Sequence, residues 1–462
     1  MHAVPNHKGA RRAFLCALSV VFALVSGCDS STADQASPTR SAPVAIGPSA
    51  PAPGPLCTID RVRCGSAAVP GQATDVDYAV FSGSDPAKDL ILVEPGGPGF
   101  DLFKRADLSF VVMPDQLRKY DLLMIREPWT ATPPDEACLA GLRSLGKALS
   151  DGSAYESVTG TSCHLSQWTS NDYQRAIDAI LAIEMRGLTG IVGQSYGALP
   201  AAAAAHHIPT AWLILNAPIA PSSLSGDGLV NGREAAFEAA LDASYRRQCA
   251  KVKSSCSAKG TSVAAAVLSR MKQKVLKQRS SPLRAGDVEL AIMAAAYDLK
   301  ANESWLWKTL TKLPSIGDED WTLLGRLADQ LLQRSGSAGD ISPRLAAYFA
   351  GVCQGYRGWT PAKDRQAEMN LLLRATAAEC AKARITPSGW VTTPVRRRAE
   401  VCLYFNEQDT VASPRDAAAW KKTFPSYSMH TYRYSGHLSL DRAIRLGSPT
   451  SGCGPLGSHA SN

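Results

Sequence analysis

The chain has 462 residues, 45% hydrophobic and 19% charged. That suits one large globular domain with an insertion, or two domains, and excludes collagen-like, coiled-coil and wholly disordered classes. The formal net charge of +8 falls to +5 once residues 1–27 are set aside, since these hold Lys8, Arg11 and Arg12 and no acid. The excess is mild and its longest basic run is Arg396-Arg397-Arg398, so no nucleic-acid partner is indicated.

Residues 2–12 are polar and basic, and 13–26 form an apolar run shorter than the roughly 20 residues of a spanning helix. The run ends in Val25-Ser26-Gly27-Cys28, which resembles the lipobox of bacterial lipoproteins. The resemblance implies removal of 1–27 as a signal peptide and lipidation of Cys28. It also implies an exported protein anchored by lipid on the extracytoplasmic face of the cell membrane. Residues 28–56 follow, with Pro38, Pro43, Pro48, Pro51, Pro53 and Pro55 among Ser and Ala, and read as an extended tether. Of the 12 cysteines, those beyond Cys28 are even in number, which in an exported chain implies a disulfide framework. Neighbouring spacing favours Cys57–Cys64, Cys138–Cys163, Cys249–Cys256 and Cys353–Cys380, leaving Cys402–Cys453. No CxxC or HExxH occurs, so neither a metal nor a cofactor is expected.

Strands are predicted over 90–93, 120–125, 188–192 and 212–215, and helices over 171–186 and 198–206. Ser170-Asn171 supplies the N-cap of the first helix. Strands alternating with helices indicate a mostly parallel α/β sheet flanked by helices. From about Pro221 to Pro394 the pattern is helical, over 233–247, 262–277, 287–299, 321–334 and 361–383, with no strand-like run between. Strands resume over 401–405 and 428–434. The expected division is a core of 57–221 and 396–462, with 222–395 inserted as a helical cap over the sheet's C-terminal edge.

Gly193-Gln194-Ser195-Tyr196-Gly197 lies between the 188–192 strand and an alanine-rich helix. Such a strand-to-helix turn exposes Ser195 Oγ above the sheet, with the Tyr196 N–H and the helix N-terminus facing a bound carbonyl oxygen. A serine hydroxyl needs a base, and this arrangement takes Ser, then Asp or Glu, then His in chain order. Of the later histidines, His430 falls within a strand and His437 in the following loop, so His437 is the candidate base. Asp409, in the loop after the 401–405 strand, is the candidate acid, with Glu407 as runner-up. In Pro95-Gly96-Gly97-Pro98-Gly99, glycine lets backbone N–H groups approach an oxyanion. Pro98 has no N–H, so Gly97 or Gly99 must donate, and Gly97 is favoured.

These motifs, with Asp409-x-Val411-x-x-Pro414 and Gly436-His437, resemble the proline iminopeptidase and tripeptidyl aminopeptidase group of α/β-hydrolase serine peptidases. The likeness runs from about Cys64 to His437. It includes the opening Cys64 to Val69-Pro70 segment, the 169–184 helix and the 215–221 strand end. It implies the α/β-hydrolase fold and cleavage of peptides from a free amino end. Two places depart from that pattern: Arg126-Glu127-Pro128-Trp129-Thr130-Ala131 replaces a glycine-containing loop, and Glu94 stands where relatives carry His or Asn.

Three functions remain open: an aminopeptidase-like serine hydrolase, a carboxylesterase, lactonase or acyl-transfer enzyme on the same triad, and an inactive binding lipoprotein. The substrate is correspondingly a peptide or small ester. An aminopeptidase needs a carboxylate for the α-ammonium, and Glu94, Glu127 and Asp318-Glu319-Asp320 are candidates beside their ordinary reading as solvated charges. Trp129, Trp305, Trp307 and Trp321 either line a pocket or pack the cap.

Overall fold

The computed structural model describes residues 54–85, 89–99, 101–104, 113–131, 134–152, 168–221, 224–252, 273, 283–311, 318–332, 334–335, 340–342, 344–360, 371–382, 389–390, 399–437, 439–447 and 454–456. The signal, Cys28, residues 29–53 of the expected tether and the helix expected over 262–277, residue 273 excepted, lie outside them; the tether's last residues, 54–56, are described, and Leu56 is buried in the core rather than extended in solvent.

Ten strands are described. They are β1 (Val62–Ala67), β2 (Val76–Phe81), β3 (Leu90–Glu94), β4 (Asp121–Ile125), β5 (Leu188–Gln194), β6 (Trp212–Asn216), β7 (Arg334–Ser335), β8 (Asp340–Ile341), β9 (Glu400–Gln408) and β10 (Ser428–Ser435). The helices are α1 (Pro128–Ala131), α2 (Glu136–Asp151), α3 (Ser170–Glu184), α4 (Ala198–His207), α5 (Gly226–Val252), α6 (Ala285–Ala296), α7 (Leu299–Thr311), α8 (Asp318–Leu332), α9 (Arg344–Gly355), α10 (Leu371–Lys382), α11 (Ala417–Thr423) and α12 (Leu440–Gly447).

Eight strands form one sheet in the order β1-β2-β4-β3-β5-β6-β9-β10. β2 pairs antiparallel with β1 and β4, and every other pairing is parallel. This order, with one antiparallel strand near one edge and helices as crossovers, is the α/β-hydrolase fold. Inner strands are buried on both faces, so they are continuous apolar runs rather than alternating ones. Leu90, Leu92, Ile191, Leu213, Leu215, Leu403 and Phe405 face a core with α3 and α4. Their neighbours Ile91, Val93, Val192, Ile214, Cys402 and Tyr404 face the opposite core with Leu440 and Ala443 of α12. Adjacent residues pointing to opposite faces produce this division.

The helical block from α5 to α10 lies between β6 and β9 and builds a separate apolar cluster around Phe237, Leu290, Leu324, Phe349 and Leu372. The block departs from expectation: it includes α7 and α9, which are not among the predicted helices. The β7–β8 pair interrupts the block. α2, which precedes the block in sequence, packs Cys138, Leu142, Leu145 and Leu149 into that cluster. The N-cap of α3 is Thr169, whose side chain accepts the Asp172 N–H while the Asp172 carboxylate accepts the Thr169 N–H. That reciprocal pair satisfies two orphan donors, so the cap sits one residue before the expected site.

Cys57–Cys64 and Cys353–Cys380 are disulfides, as spacing implied. Cys138, Cys249 and Cys402 are disulfide-bonded as well. Their expected partners Cys163, Cys256 and Cys453 lie outside the described residues. No helix among the described residues is long and apolar enough to cross a membrane.

Candidate active site

The parallel strands deliver their C-terminal ends to one edge of the sheet. Ser195 directly follows β5, Asp409 directly follows β9, and the loop after β10 carries His437; β9 runs on past the expected end at 405, so Glu407 lies in the strand and not in the loop. Ser195 has φ 52°, in the left-handed region that non-glycine residues avoid at a cost of about 1–3 kcal/mol. The turn is tightly packed from outside. A Cβ at Gly197 would lie 2.2 Å from the Glu94 carbonyl oxygen, and one at Gly96 (φ 86°) would lie 2.3 Å from the Gln194 carbonyl oxygen. The glycines of both motifs are therefore needed so that the 95–99 loop and the serine turn can touch backbone to backbone.

The same packing bears on the oxyanion donors. The Gly99 N–H donates to Glu127 Oε2 at 2.7 Å. Of Gly97 and Gly99, that leaves Gly97 for an oxyanion. Tyr196 follows the serine in the first turn before α4, where backbone N–H groups have no intrahelical acceptor. Its phenol is turned away and donates to the Gly351 carbonyl of α9 at 2.7 Å, tying the serine turn to the helical block.

His437 Nδ1 lies 3.0 Å from both Asp409 carboxylate oxygens. Asp409 is 2% exposed, and its Oδ1 also accepts the Val411 and Ala412 N–H groups at 2.8 Å each. The acid is thereby fixed in position by its own loop. Glu407, the runner-up, is exposed. His430 stacks on Tyr404 at 4.7 Å within the sheet, as expected of a strand histidine. The His437 loop is held at both ends: His437 N–H donates to the Tyr297 carbonyl at 2.6 Å, and Leu440 N–H donates to Gln194 Oε1 at 3.0 Å. The second bond ties this loop to the residue next to Ser195. No hydrogen bond joins Ser195 Oγ to His437 among the described residues. In ligand-free sites such contacts are often long and tighten only when substrate binds. The roles of Tyr297 and Gln194 leave no local trace: Tyr297 belongs to no motif, and Gln194 sits at a variable position of the serine turn and reaches a residue 246 positions away.

Three of the carboxylates considered for an ammonium, Glu94, Glu127 and Asp320, accept hydrogen bonds within the fold. Glu94 is buried and accepts the Tyr173 hydroxyl. Burial pushes its carboxyl up to about 8, with the nearby Glu127 charge adding to the rise and the Tyr173 hydrogen bond opposing it. Glu127 accepts the Trp129 indole N–H at 2.9 Å besides the Gly99 N–H. Asp320 accepts from the Trp305 indole at 3.3 Å. Trp307 and Trp321 are buried in the helical cluster and Trp305 packs against it, so these three are packing residues; Trp129 is buried in the sheet core and also lines a small cavity with Glu94, Glu127 and Tyr196.

Glu94 gives a stability prediction. The folded chain holds its proton up to about pH 8 while the unfolded chain releases it near the ordinary 4.5. Stability from the neutral form is therefore complete below 4.5 and is lost as pH rises to 8, by on the order of a few kcal/mol. Glu94→Gln keeps an acceptor for Tyr173 without the titration. Its thermal midpoint is expected to gain on the wild type across pH 4.5–8. Parallel curves would contradict the neutral buried carboxyl.

No family model and no curated protein matches the sequence. Solved structures similar to this chain include three bacterial hydrolases. An acetylester hydrolase from Corynebacterium glutamicum is 14% identical, covering 83% of this chain and 91% of that one, with a TM-score of 0.39. A serine hydrolase from Cycloclasticus zankles is 11% identical over 84% and 93%, with a TM-score of 0.38. An enol-lactonase from Burkholderia xenovorans LB400 is 11% identical over 83% and 96%, with a TM-score of 0.36. The class defined here is that of α/β-hydrolase-fold proteins, and it rests on the strand order described above.

Proposed function

We propose that the protein is a serine hydrolase acting through an acyl-enzyme, and that its substrates are peptides with a free amino end. The observation that carries the hydrolase reading is the Asp409–His437 contact at 3.0 Å, on the strand edge where the strained Ser195 turn also ends. The peptide preference rests on the sequence resemblance alone.

In this reading Ser195 Oγ attacks the scissile carbonyl carbon as its proton passes to His437 Nε2. The carbonyl oxygen becomes an oxyanion held by the Gly97 and Tyr196 N–H groups. Asp409 accepts from Nδ1–H, holds the tautomer and stabilises the imidazolium. The tetrahedral intermediate expels the leaving group, which takes the proton from His437. Water then attacks the acyl-enzyme by the same route and restores Ser195. The Cys28 lipobox supports placement of this chemistry outside the cell, on a lipid anchor.

The test compares chromogenic peptides bearing free and blocked amino ends with p-nitrophenyl esters. Faster turnover of free-ended peptides than of their blocked counterparts is the expected result. Ester turnover without peptide turnover would replace the peptidase by an esterase or lactonase. An intact protein that neither turns over any substrate nor labels with a fluorophosphonate would replace the enzyme by a binding lipoprotein.

A further inference from the structure

Arg233 projects from the first turns of α5, the helix that opens the inserted block. Its guanidinium lies beside two phenols. Nη1 donates to the Tyr348 hydroxyl at 3.5 Å, and the Tyr297 phenol is near enough for the cation to favour its ionised form. Nε is enclosed and has no hydrogen-bond partner. No carboxylate stands within ion-pair distance of Arg233 among the described residues. Asp416 is near enough for Arg233 to favour its ionised form, but its Oδ2 accepts the Ser413 N–H at 3.3 Å within its own loop.

Both tyrosines adjoin the elements of the proposed site, Tyr297 through its ring and Tyr348 through its backbone. The Tyr297 ring meets the His437 imidazole edge-on at 5.8 Å, and its carbonyl accepts the His437 N–H. Tyr348 approaches the oxyanion loop so closely that a Cβ on Gly99 would lie 2.8 Å from the Tyr348 nitrogen. Arg233 is thus one residue removed from the base on one side and from the oxyanion loop on the other. Arg233 is only partly buried, so its guanidinium keeps an open side. No described carboxylate pairs with it directly, and a guanidinium half-withdrawn from water gains from a charged partner. A packing role alone would be met at lower cost by an apolar side chain.

We infer that Arg233 anchors a carboxylate of the substrate beside the scissile bond, so that the enzyme prefers anionic substrates. The inference rests on the hydrolase reading above. A guanidinium offers a planar fork that meets a carboxylate with two parallel hydrogen bonds, whereas lysine offers a point charge. The carboxylate can belong to the acyl part of the substrate or to its leaving part.

Two matched pairs separate these sources. p-Nitrophenyl hemiglutarate against p-nitrophenyl butyrate places the charge on the acyl side. A free-ended tripeptide acid against its C-terminal amide places it on the leaving side. In the wild type, one pair is expected to favour its anionic member by about 10- to 100-fold in kcat/KM, the range of a charged hydrogen bond. Arg233→Gln is expected to reduce that ratio to about one, and Arg233→Lys to restore part of it. Glutarate is expected to slow fluorophosphonate labelling of Ser195 in the wild type and not in Arg233→Gln.

A structural role lowers both members of a pair alike and leaves the ratio intact, which would overturn the inference. So would a wild type that turns over both members equally, since the hydrolase would then stand without the anion site. Absence of both labelling and turnover in the folded wild type would instead remove the hydrolase reading, and the inference with it.

Discussion

Ser195→Ala is expected to abolish fluorophosphonate labelling and to lower kcat by about 10⁶, the scale set by removing the nucleophile of a serine-protease triad. The loss follows from the proposed chemistry, in which no other group forms the acyl-enzyme. The turn that presents Ser195 already accepts a left-handed residue at φ 52°, and alanine is smaller than serine, so the fold survives the exchange. His437→Ala should be comparably inactive, because the hydroxyl then keeps its proton. The two losses should not add, since each removes the same concerted step. Circular dichroism and thermal midpoints close to wild type would show that activity, and not folding, has been lost. Full turnover by Ser195→Ala, in a preparation free of host hydrolase, would refute the assignment of the nucleophile.

Much of this architecture was readable because the chemistry is carried by short local patterns. β3, β4, β5 and β6 are nearly unbroken apolar runs, as burial on both faces requires. β1 and β2 escaped independent assignment because they mix polar and apolar residues near the sheet edge. Val62-Arg63-Cys64-Gly65 is only partly buried, and Arg63 pairs with Glu184 of α3 rather than with a neighbour in sequence. Ser195, Asp409 and His437 could be found because each follows a strand and stands in a recognisable turn. Gln194, Tyr297 and Arg233 could not. Gln194 reaches Leu440 and Tyr297 reaches His437 through contacts between segments far apart in the chain, and these leave no periodic or local trace. Which carboxylate could take an ammonium was illegible for a related reason. Whether Glu94 and Glu127 are free or committed depends on Tyr173, Gly99 and Trp129, and sequence does not show those partners.

Asp409→Asn is expected to cost about 10⁴ in kcat with little loss of stability. Asp409 Oδ1 accepts two backbone N–H groups, from Val411 and Ala412, and an asparagine must keep its carbonyl oxygen there or leave both donors unpaired. Its NH₂ group then faces His437 Nδ1, in the place of the carboxylate oxygen that now lies 3.0 Å away. Facing a donor, Nδ1 must act as an acceptor, and the ring proton moves to Nε2. That is the nitrogen required to take the proton from Ser195, so the imidazole is locked in the tautomer that cannot act as a base. The loop keeps both of its backbone hydrogen bonds, which separates lost catalysis from lost structure. Glu407→Gln, on an exposed side chain, should change kcat by no more than a few-fold. A near-normal kcat for Asp409→Asn with a large loss for Glu407→Gln would move the acid to Glu407, against the 3.0 Å contact on which Asp409 is proposed.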